Sequence, residues 1–436
     1  MAAAAGIDGG ILAGLPDDIL VEVFSRVGSV KILFRLAATC RRWLRLFTDP
    51  AFLRKLYPGH GKGLLGFFPR QTKPFMDYLR MVKIRTARHT SVSPPTFVPA
   101  PGSPLGSTEE RALTAFVSDD DGTFNYAKPL AARRGFVLMH LVPRSFDLDR
   151  MTMRATVHRL ALCNPITGDR HVLPPLDCPD SRVAIVKGYA IVTAADAGDL
   201  NGRRSPSARF TFSQLLIIAN RQRTQEQYLH SYSAATRSWR GAPTMCTDGW
   251  RFSMAGQGIA AVHRGAAHWL CFDHEDDHNL YKFSADLCTA CVSPRLKLPV
   301  RTGGTPLLHV SGDGKLSITC VCAQHVAVWT QQDEEEGAWL RTQQFRLAMV
   351  MPTNPNDPPD SRRCFEDCHE FDRGSMLVVY RTGGVFVLDI EKEAMEKVID
   401  SFPSLFTHKQ HWRCVPYEMD LVEFFMCHLG GLLRRG

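Results

Sequence analysis

The chain has 436 residues, 44% of them hydrophobic and 22% charged, an ordinary globular composition with length for about two to three domains and a core that needs no covalent staples. No uninterrupted apolar run approaches the ~20 residues of a membrane helix, and the leader Met1–Gly14 lacks a basic stretch and carries Asp8, so neither a membrane span nor a secretion signal is expected. The net charge of +8 is uneven: residues 1–90 hold 15 Lys/Arg against 6 Asp/Glu, and the remainder holds 37 against 38, so any attraction for an acidic partner belongs to the N-terminal segment.

In chain order, residues 1–14 read as a flexible leader and residues 15–57 as four short helices. In the first, Ile19, Leu20, Val23, Phe24 and Val27 fall at i, i+1, i+4, i+5 and i+8, Pro16 suits the opening turn, Asp17 and Asp18 lie at the positive end of the dipole, and Gly28 ends the helix. Ser29 is a candidate cap for a second helix in which Ile32, Leu33, Leu36, Ala37 and Cys40 repeat the same spacing. A third helix runs through Trp43, Leu44 and Phe47, and the pair Asp49-Pro50 opens a fourth through Phe52, Leu53 and Leu56. Helices this short are unstable alone, so their apolar stripes must bury against each other or a partner.

Residues 58–106 read as a basic connecting segment. Gly59, Gly61 and Gly63 break the helix, 64–68 is a strand able to close a toroid, and about 90–106 is a Pro/Gly/Ser-rich loop or linker. Residues 107–436 alternate short Val-, Leu-, Phe- and Trp-rich runs with turn clusters, the pattern of an all-β domain. Several runs follow one plan of strand, polar turn and strand. Ser233, Ser284, Trp329 and Asp389 anchor four of them at separations of 51, 45 and 60 residues, near the roughly 40–50 of a propeller blade. The predicted fold is therefore a small helical domain followed by a β-propeller of about six blades, with a pair of β-sandwiches as the alternative. A fragment beginning near Gly59 is expected to fold alone.

The segment Leu15-Pro-Asp-Asp-Ile-Leu-Val-Glu-Val-Phe-Ser-Arg26, then Leu33-Phe-Arg-Leu-Ala-Ala-Thr-Cys-Arg-Arg-Trp43 and Asp49-Pro-Ala-Phe52, closely resembles the F-box. Its three elements occur in the family's order and nearly at its spacing; Gly28-Ser29 departs from it where many members carry a proline. Downstream, Asn164-Pro-Ile-Thr-Gly168 with Leu173-Pro174, and Gly265-Ala-Ala-His-Trp-Leu270, are similar to repeat phrases of plant F-box proteins with β-propeller-like associated domains. The resemblance implies binding to an acidic Skp-type adaptor, and through it to a cullin scaffold, by Leu15, Pro16, Leu20, Val23, Leu33, Leu36, Cys40 and Trp43. It implies a substrate receptor of a ubiquitin ligase that binds a protein target through the β domain and has no catalytic residue or cofactor of its own. A hydrolase or glycan-binding propeller unconnected with ubiquitin is the alternative.

Other motifs have bland readings. His274-Glu-Asp-Asp-His278 has the spacing of a helical zinc site but falls between strand-like runs, where a hairpin loop is expected and no metal. Cys288-Thr-Ala-Cys291 and Cys364-Phe-Glu-Asp-Cys368-His369 lack a second ligand pair and read as buried or incidental thiols. Arg41, Arg42 and Arg45 around Trp43 read as a solvated face beside an acidic protein, and nucleic acid is not expected. Gly59-His-Gly-Lys-Gly63 lacks phosphate-loop spacing. Trp250 and Trp412 are either substrate contacts or core, so the substrate site stays open. Thirteen scattered cysteines suit a reducing compartment, cytoplasm or nucleus.

Overall fold

The computed structural model describes residues 14–27, 30–57, 63–72, 95–100, 103, 105, 111–125, 127–141, 157–177, 184–196, 210–221, 226–246, 251–273, 279–301, 305–322, 325–332, 338–347, 365–371, 375–380, 384–399 and 411–433. Four helices open it, Asp17–Ser25 (α1), Val30–Ala37 (α2), Arg41–Leu46 (α3) and Pro50–Leu56 (α4). Their starts are set by local chemistry. The Cys40 sulfur accepts the Trp43 N–H at 3.4 Å to cap α3, and Asp49 Oδ1 accepts the Ala51 N–H at 2.9 Å to cap α4, with Pro50 in the first turn. The Gly28-Ser29 turn lies outside the described residues.

Six antiparallel sheets follow, forming a six-blade β-propeller. Written from the centre outward, blade 2 is Lys128–Arg133, Phe136–Leu141, Val157–Asn164 and Asp169–Val172, and blade 3 is Ala184–Thr193, Phe212–Arg221, Gln227–Ser233 and Ser238–Trp239. In blade 4 the inner position is shared by Phe252–Met254 and Ala261–His263, both paired to Ala266–Asp273, followed by Asn279–Asp286 and Leu296–Arg301. Blade 5 is Thr305–Val310, Leu316–Val321, His325–Gln331 and Trp339–Arg346; blade 6 is Phe365–Phe371, Ser375–Tyr380, Val385–Asp389 and Ala394–Ile399. The anchors Ser233, Ser284, Trp329 and Asp389 each fall in the third strand of their blades, so the loose repeat in the sequence is the blade repeat.

Blade 1 is built from both ends of the chain. Its inner strand is His411–Glu418, paired antiparallel with Leu64–Thr72, which pairs with Thr96–Pro99 and then Arg111–Ala112. The register runs from Leu64 opposite Glu418 to Thr72 opposite His411, and the Met419 N–H donates to the Gly63 carbonyl at 2.9 Å. The stretch 90–106, expected as a linker, thus supplies a blade strand: Phe97 is fully buried, 5.0 Å from Phe68 and 5.8 Å from Tyr417 between ring centroids. Gly66 makes this pairing possible, because a Cβ there would run into the Phe97 ring and the Val98 carbonyl.

Neighbouring blades are stitched by polar contacts as well as apolar faces. The Tyr417 hydroxyl donates to Asn164 Oδ1 at 3.3 Å, and the same oxygen accepts the Ile166 and Thr167 N–H groups, which explains why the turn Asn164-Pro-Ile-Thr-Gly168 needs asparagine. Trp239 Nε1 donates to the Pro174 carbonyl at 2.8 Å. Between blades 2 and 3, Arg133 grips Asp196 through two bonds of 2.6 and 2.8 Å, Arg134 adds a third at 3.1 Å, and the Thr193 N–H donates to the same carboxylate at 2.8 Å. Burial, the largest single influence, would raise the Asp196 carboxyl, but Arg133, Arg134 and the Thr193 N–H together outweigh it and pull the pKa down to about 2.

A carboxyl depressed in this way stabilises the fold above its unfolded pKa, near 4, and loses that contribution as the pH falls toward 2. The Asp196→Asn variant should therefore lose about 2 kcal/mol of stability at neutral pH, with the gap to wild type narrowing below pH ~4. Urea denaturation of both proteins at neutral and acid pH checks this; equal midpoints at neutral pH would contradict it.

Candidate partner-binding surfaces

The two apolar stripes of α1 and α2 divide in the same manner. At positions i+1 and i+5 the side chains turn inward: Leu20 and Leu33 are 0% and 1% exposed, with Phe24 and Ala37 beside them. At positions i and i+4 they turn outward: Ile19 is 47% exposed, Val23 39% and Ile32 49%, with Leu36 half-buried. Of the eight residues carried over from the resemblance, Pro16 and Val23 are exposed, Leu15, Leu36, Cys40 and Trp43 are half-buried, and Leu20 and Leu33 are interior. Those last two have no surface to offer a partner. Ile19 and Ile32, which the motif match passed over, do. A stripe with spacing i, i+1, i+4, i+5 contains both an inner and an outer pair, and only the packing of the other helices decides which is which.

The inner pairs do not stop at the helical domain. A helix not foreseen in the sequence, Leu421–Leu433 (α5), follows directly on the inner strand of blade 1, opened by Asp420, whose Oδ1 accepts the Glu423 N–H at 2.9 Å. Asp420 and Glu423 at capping-box spacing, before Phe424, Phe425, His428 and Leu429, were the available signal. Buried Phe425 sits 5.3 Å from Phe47 and stacks on Tyr57 at 6.3 Å, and Phe424 lies 5.9 Å from Phe34 and 5.6 Å from Phe210 of the propeller. Within the helices the chain of rings continues from Phe47 to Phe24 at 5.0 Å and from Phe24 to Trp43 at 5.4 Å. One continuous core therefore joins α1–α4, α5 and blades 1 and 2. The expected seam near Gly59 is bridged from the other end of the chain, and a fragment lacking α1–α4 would expose the Phe424–Phe425 face to water.

Beside this joint is a cavity of about 860 Å³ between blades 2 and 3. Its apolar wall is Phe136, Phe210, Phe212 and Tyr232, with Phe212 and Tyr232 stacked at 6.1 Å and 13°. Its polar wall carries Asp169 and His171 from the outer strand of blade 2, Arg237 from the turn after Ser233, and His428 from α5. His428 Nδ1 donates to the Phe424 carbonyl at 3.0 Å, and burial among Phe34, Phe210 and Phe424 holds its pKa below the usual imidazole range.

Other motifs resolve as follows. His274-Glu-Asp-Asp-His278, Gly59, Trp250 and Cys364 lie outside the described residues, as do the side chains of Cys368, His369 and Trp412. Cys288 and Cys291, read as buried or incidental thiols, are exposed and sit at a turn. Asp286 Oδ1 holds that turn by accepting the Cys288 and Thr289 N–H groups at 3.0 and 2.7 Å. Cys163, Cys246, Cys271 and Cys320 are buried, and burial raises all four thiols, Cys246 and Cys320 to about 12. Among the described residues no cluster of three His, Cys, Asp or Glu suits a metal ion, and no helix is long and apolar enough to cross a membrane.

The shared core makes a prediction about cooperativity. Phe425→Ala removes the ring touching both Phe47 and Tyr57 and should cost about 3–5 kcal/mol, loosening helices and propeller in a single thermal transition. Trp43 fluorescence and far-ultraviolet dichroism, followed together on heating, check it; an unchanged Trp43 transition would show that the helices stand independently.

Comparison with known proteins fits this architecture. Residues 12–58 match the F-box-like family, and residues 106–425 match the family described as Domain of unknown function (DUF7595). No curated protein matches the chain. Similar solved structures include the acylaminoacyl peptidase of Pyrococcus horikoshii, with 10% identity over 63% of this chain and a TM-score of 0.35. They also include the β-propeller domain of the Trilobed protease from Pyrococcus furiosus, with 9% identity over 63% of this chain and 71% of that one, at a TM-score of 0.34. The chain spans 39% of the length of the first of these. Because the second family match covers residues 106–425, most of its length, the protein belongs to the DUF7595 family and carries an F-box-like domain ahead of its six-blade propeller.

Proposed function

We propose that this protein is a non-catalytic substrate receptor of a Skp-cullin-F-box type ubiquitin ligase, working in cytoplasm or nucleus, with its helical domain on the adaptor and its propeller on a target protein. The observation that carries the reading is the outward half of the two stripes. After Leu20, Phe24, Leu33 and Ala37 have completed the internal core, Ile19, Val23 and Ile32 remain exposed on helices too short to leave apolar side chains in water without a partner. Leu15 and Pro16 sit at the mouth of α1, where Arg42 donates to the Leu15 carbonyl and to Asp17 Oδ1 at 2.9 Å, fixing the Leu-Pro entry against α3. Exposed basic residues of the helical domain, among them Arg35, Arg41 and Arg45, complement an acidic adaptor.

The receptor's contribution to rate is proximity. Holding a target on blades rigidly coupled to α1–α4 raises the effective concentration of its lysines near the conjugating machinery to roughly the mM range. The joint through Phe424 and Phe425 matters here, because a fixed core, unlike a flexible linker, also fixes the direction in which the target is presented.

Replacing Ile19 and Ile32 together by glutamate should weaken adaptor binding by about 2 kcal/mol or more with no change in melting temperature, since both side chains already face water. Leu20→Ala should instead lower the melting temperature. Calorimetric titration with a purified Skp-type adaptor separates the cases, and wild-type affinity in the double variant would sink the proposed interface.

A further inference from the structure

The cavity beside α5 has a chemistry that selects its occupant. Its apolar wall is aromatic: Phe136 lies 6.0 Å from Phe212, which stacks on Tyr232, so a planar ring finds edges and faces to meet. The lining also holds one cation, Arg237, exposed and without an ion pair among the described residues. Two acceptors complete the wall. One is the Asp169 carboxylate. The other is His428 Nε2: a carbonyl can only accept, so the Nδ1 facing the Phe424 carbonyl carries the proton, and the neutral ring leaves Nε2 with a lone pair. An occupant matching this wall has an aromatic ring, one carboxylate for Arg237, and an N–H donor close to that carboxylate.

Those three features occur together in an aromatic amino acid and in the last residue of a polypeptide. The setting favours the polypeptide. At about 860 Å³ the cavity has room beyond a single residue, and its rim includes Val172, 55% exposed, at the end of the outer strand of blade 2. That strand, Asp169–Val172, is exposed along its length and pairs on one side only among the described residues. The Leu173 N–H donates to the Leu160 carbonyl, so in this antiparallel register Arg170 and Val172 direct their backbone groups to the open edge, where an extended segment leading out of the cavity can pair. The turns carrying the site are already fixed, one by Asn164 Oδ1 and the other with Arg237 held at φ 52°.

We propose that the cavity between blades 2 and 3 and α5 captures the C-terminal aromatic residue of a polypeptide, its ring on Phe136, Phe212 and Tyr232, its carboxylate on Arg237 and its N–H toward Asp169 and His428. The proposal deepens the receptor reading by naming what is recognised. Its test nevertheless uses the full chain without adaptor, so adaptor binding and peptide binding fail separately. A fluorescently labelled short peptide of glycine and serine ending in phenylalanine with a free carboxylate should bind. The same peptide amidated at its C-terminus, the same peptide ending in alanine, and the free-acid peptide with an Arg237→Gln chain should each bind roughly tenfold or more weakly. Arg237 is exposed, so an unchanged melting temperature is expected for that variant and verifies its fold. Equal binding of acid and amide, or no binding of any peptide at about 1 mM, would overturn the proposal. Free L-phenylalanine that displaces the peptide at equal concentration would overturn the polypeptide assignment, and failure to displace it supports the assignment.

Discussion

The pairing of His411–Glu418 with Leu64–Thr72 closes the ring from the chain's two ends, and the rest of the molecule takes its place from that pairing. Because the closing strand occupies the inner position of blade 1, it lies between the inner strands of blades 6 and 2 and delivers the chain, at Met419, to one end of the central axis. The entropic cost of joining such distant segments grows only logarithmically with their separation, so one well-satisfied strand pair can meet it. Gly135, whose N–H donates to the Glu418 carbonyl at 2.8 Å, and Tyr417, whose hydroxyl reaches Asn164, tie the closing strand into blade 2 as well as blade 1.

From Met419 the chain has a single residue, Asp420, before α5, and this proximity makes the helical domain and the propeller a single body. An F-box of four short helices has too little apolar surface to be self-sufficient, and here Phe424 and Phe425 supply the missing part. The same helix brings His428 to the wall of the cavity between blades 2 and 3. The outward stripe of α1 and α2, the joint and the cavity thus all depend on where one thirteen-residue helix begins.

Local features were legible in the sequence and distant ones were not. The start of α4 follows from Asp49 and Pro50, and the blade repeat follows from the third strands and their turns, because these signals lie within a few residues of each other; Cys40, by its spacing the end of the second helix, instead lies beyond Ala37 and caps α3. Of blade 1 only the strand at 64–68 was legible, because its inner strand lies far along the chain from the others, and 90–106 looks like a linker until Phe97 is seen between Phe68 and Tyr417. Leu20 and Ile19 are indistinguishable by periodicity; one is core and the other surface because of residues elsewhere, notably Phe47, Phe52 and Phe425. The cavity could not be read at all, since its wall gathers residues from Phe136 to His428 by the stacking of two blades against α5.

The placement of α5 also sets an order of events during synthesis. The helices α1–α4 are translated before any blade, yet the side chains that complete their core, Phe424 and Phe425, come after all six. Until then Phe47 and Tyr57 lack their partner, and the toroid lacks its closing strand. A chain ending early, at whatever blade, would carry an incomplete helical domain on an open ring, with apolar surface displayed for chaperones and proteases. Because α5 supplies that piece, the core of the helical domain is complete only once every blade has been translated.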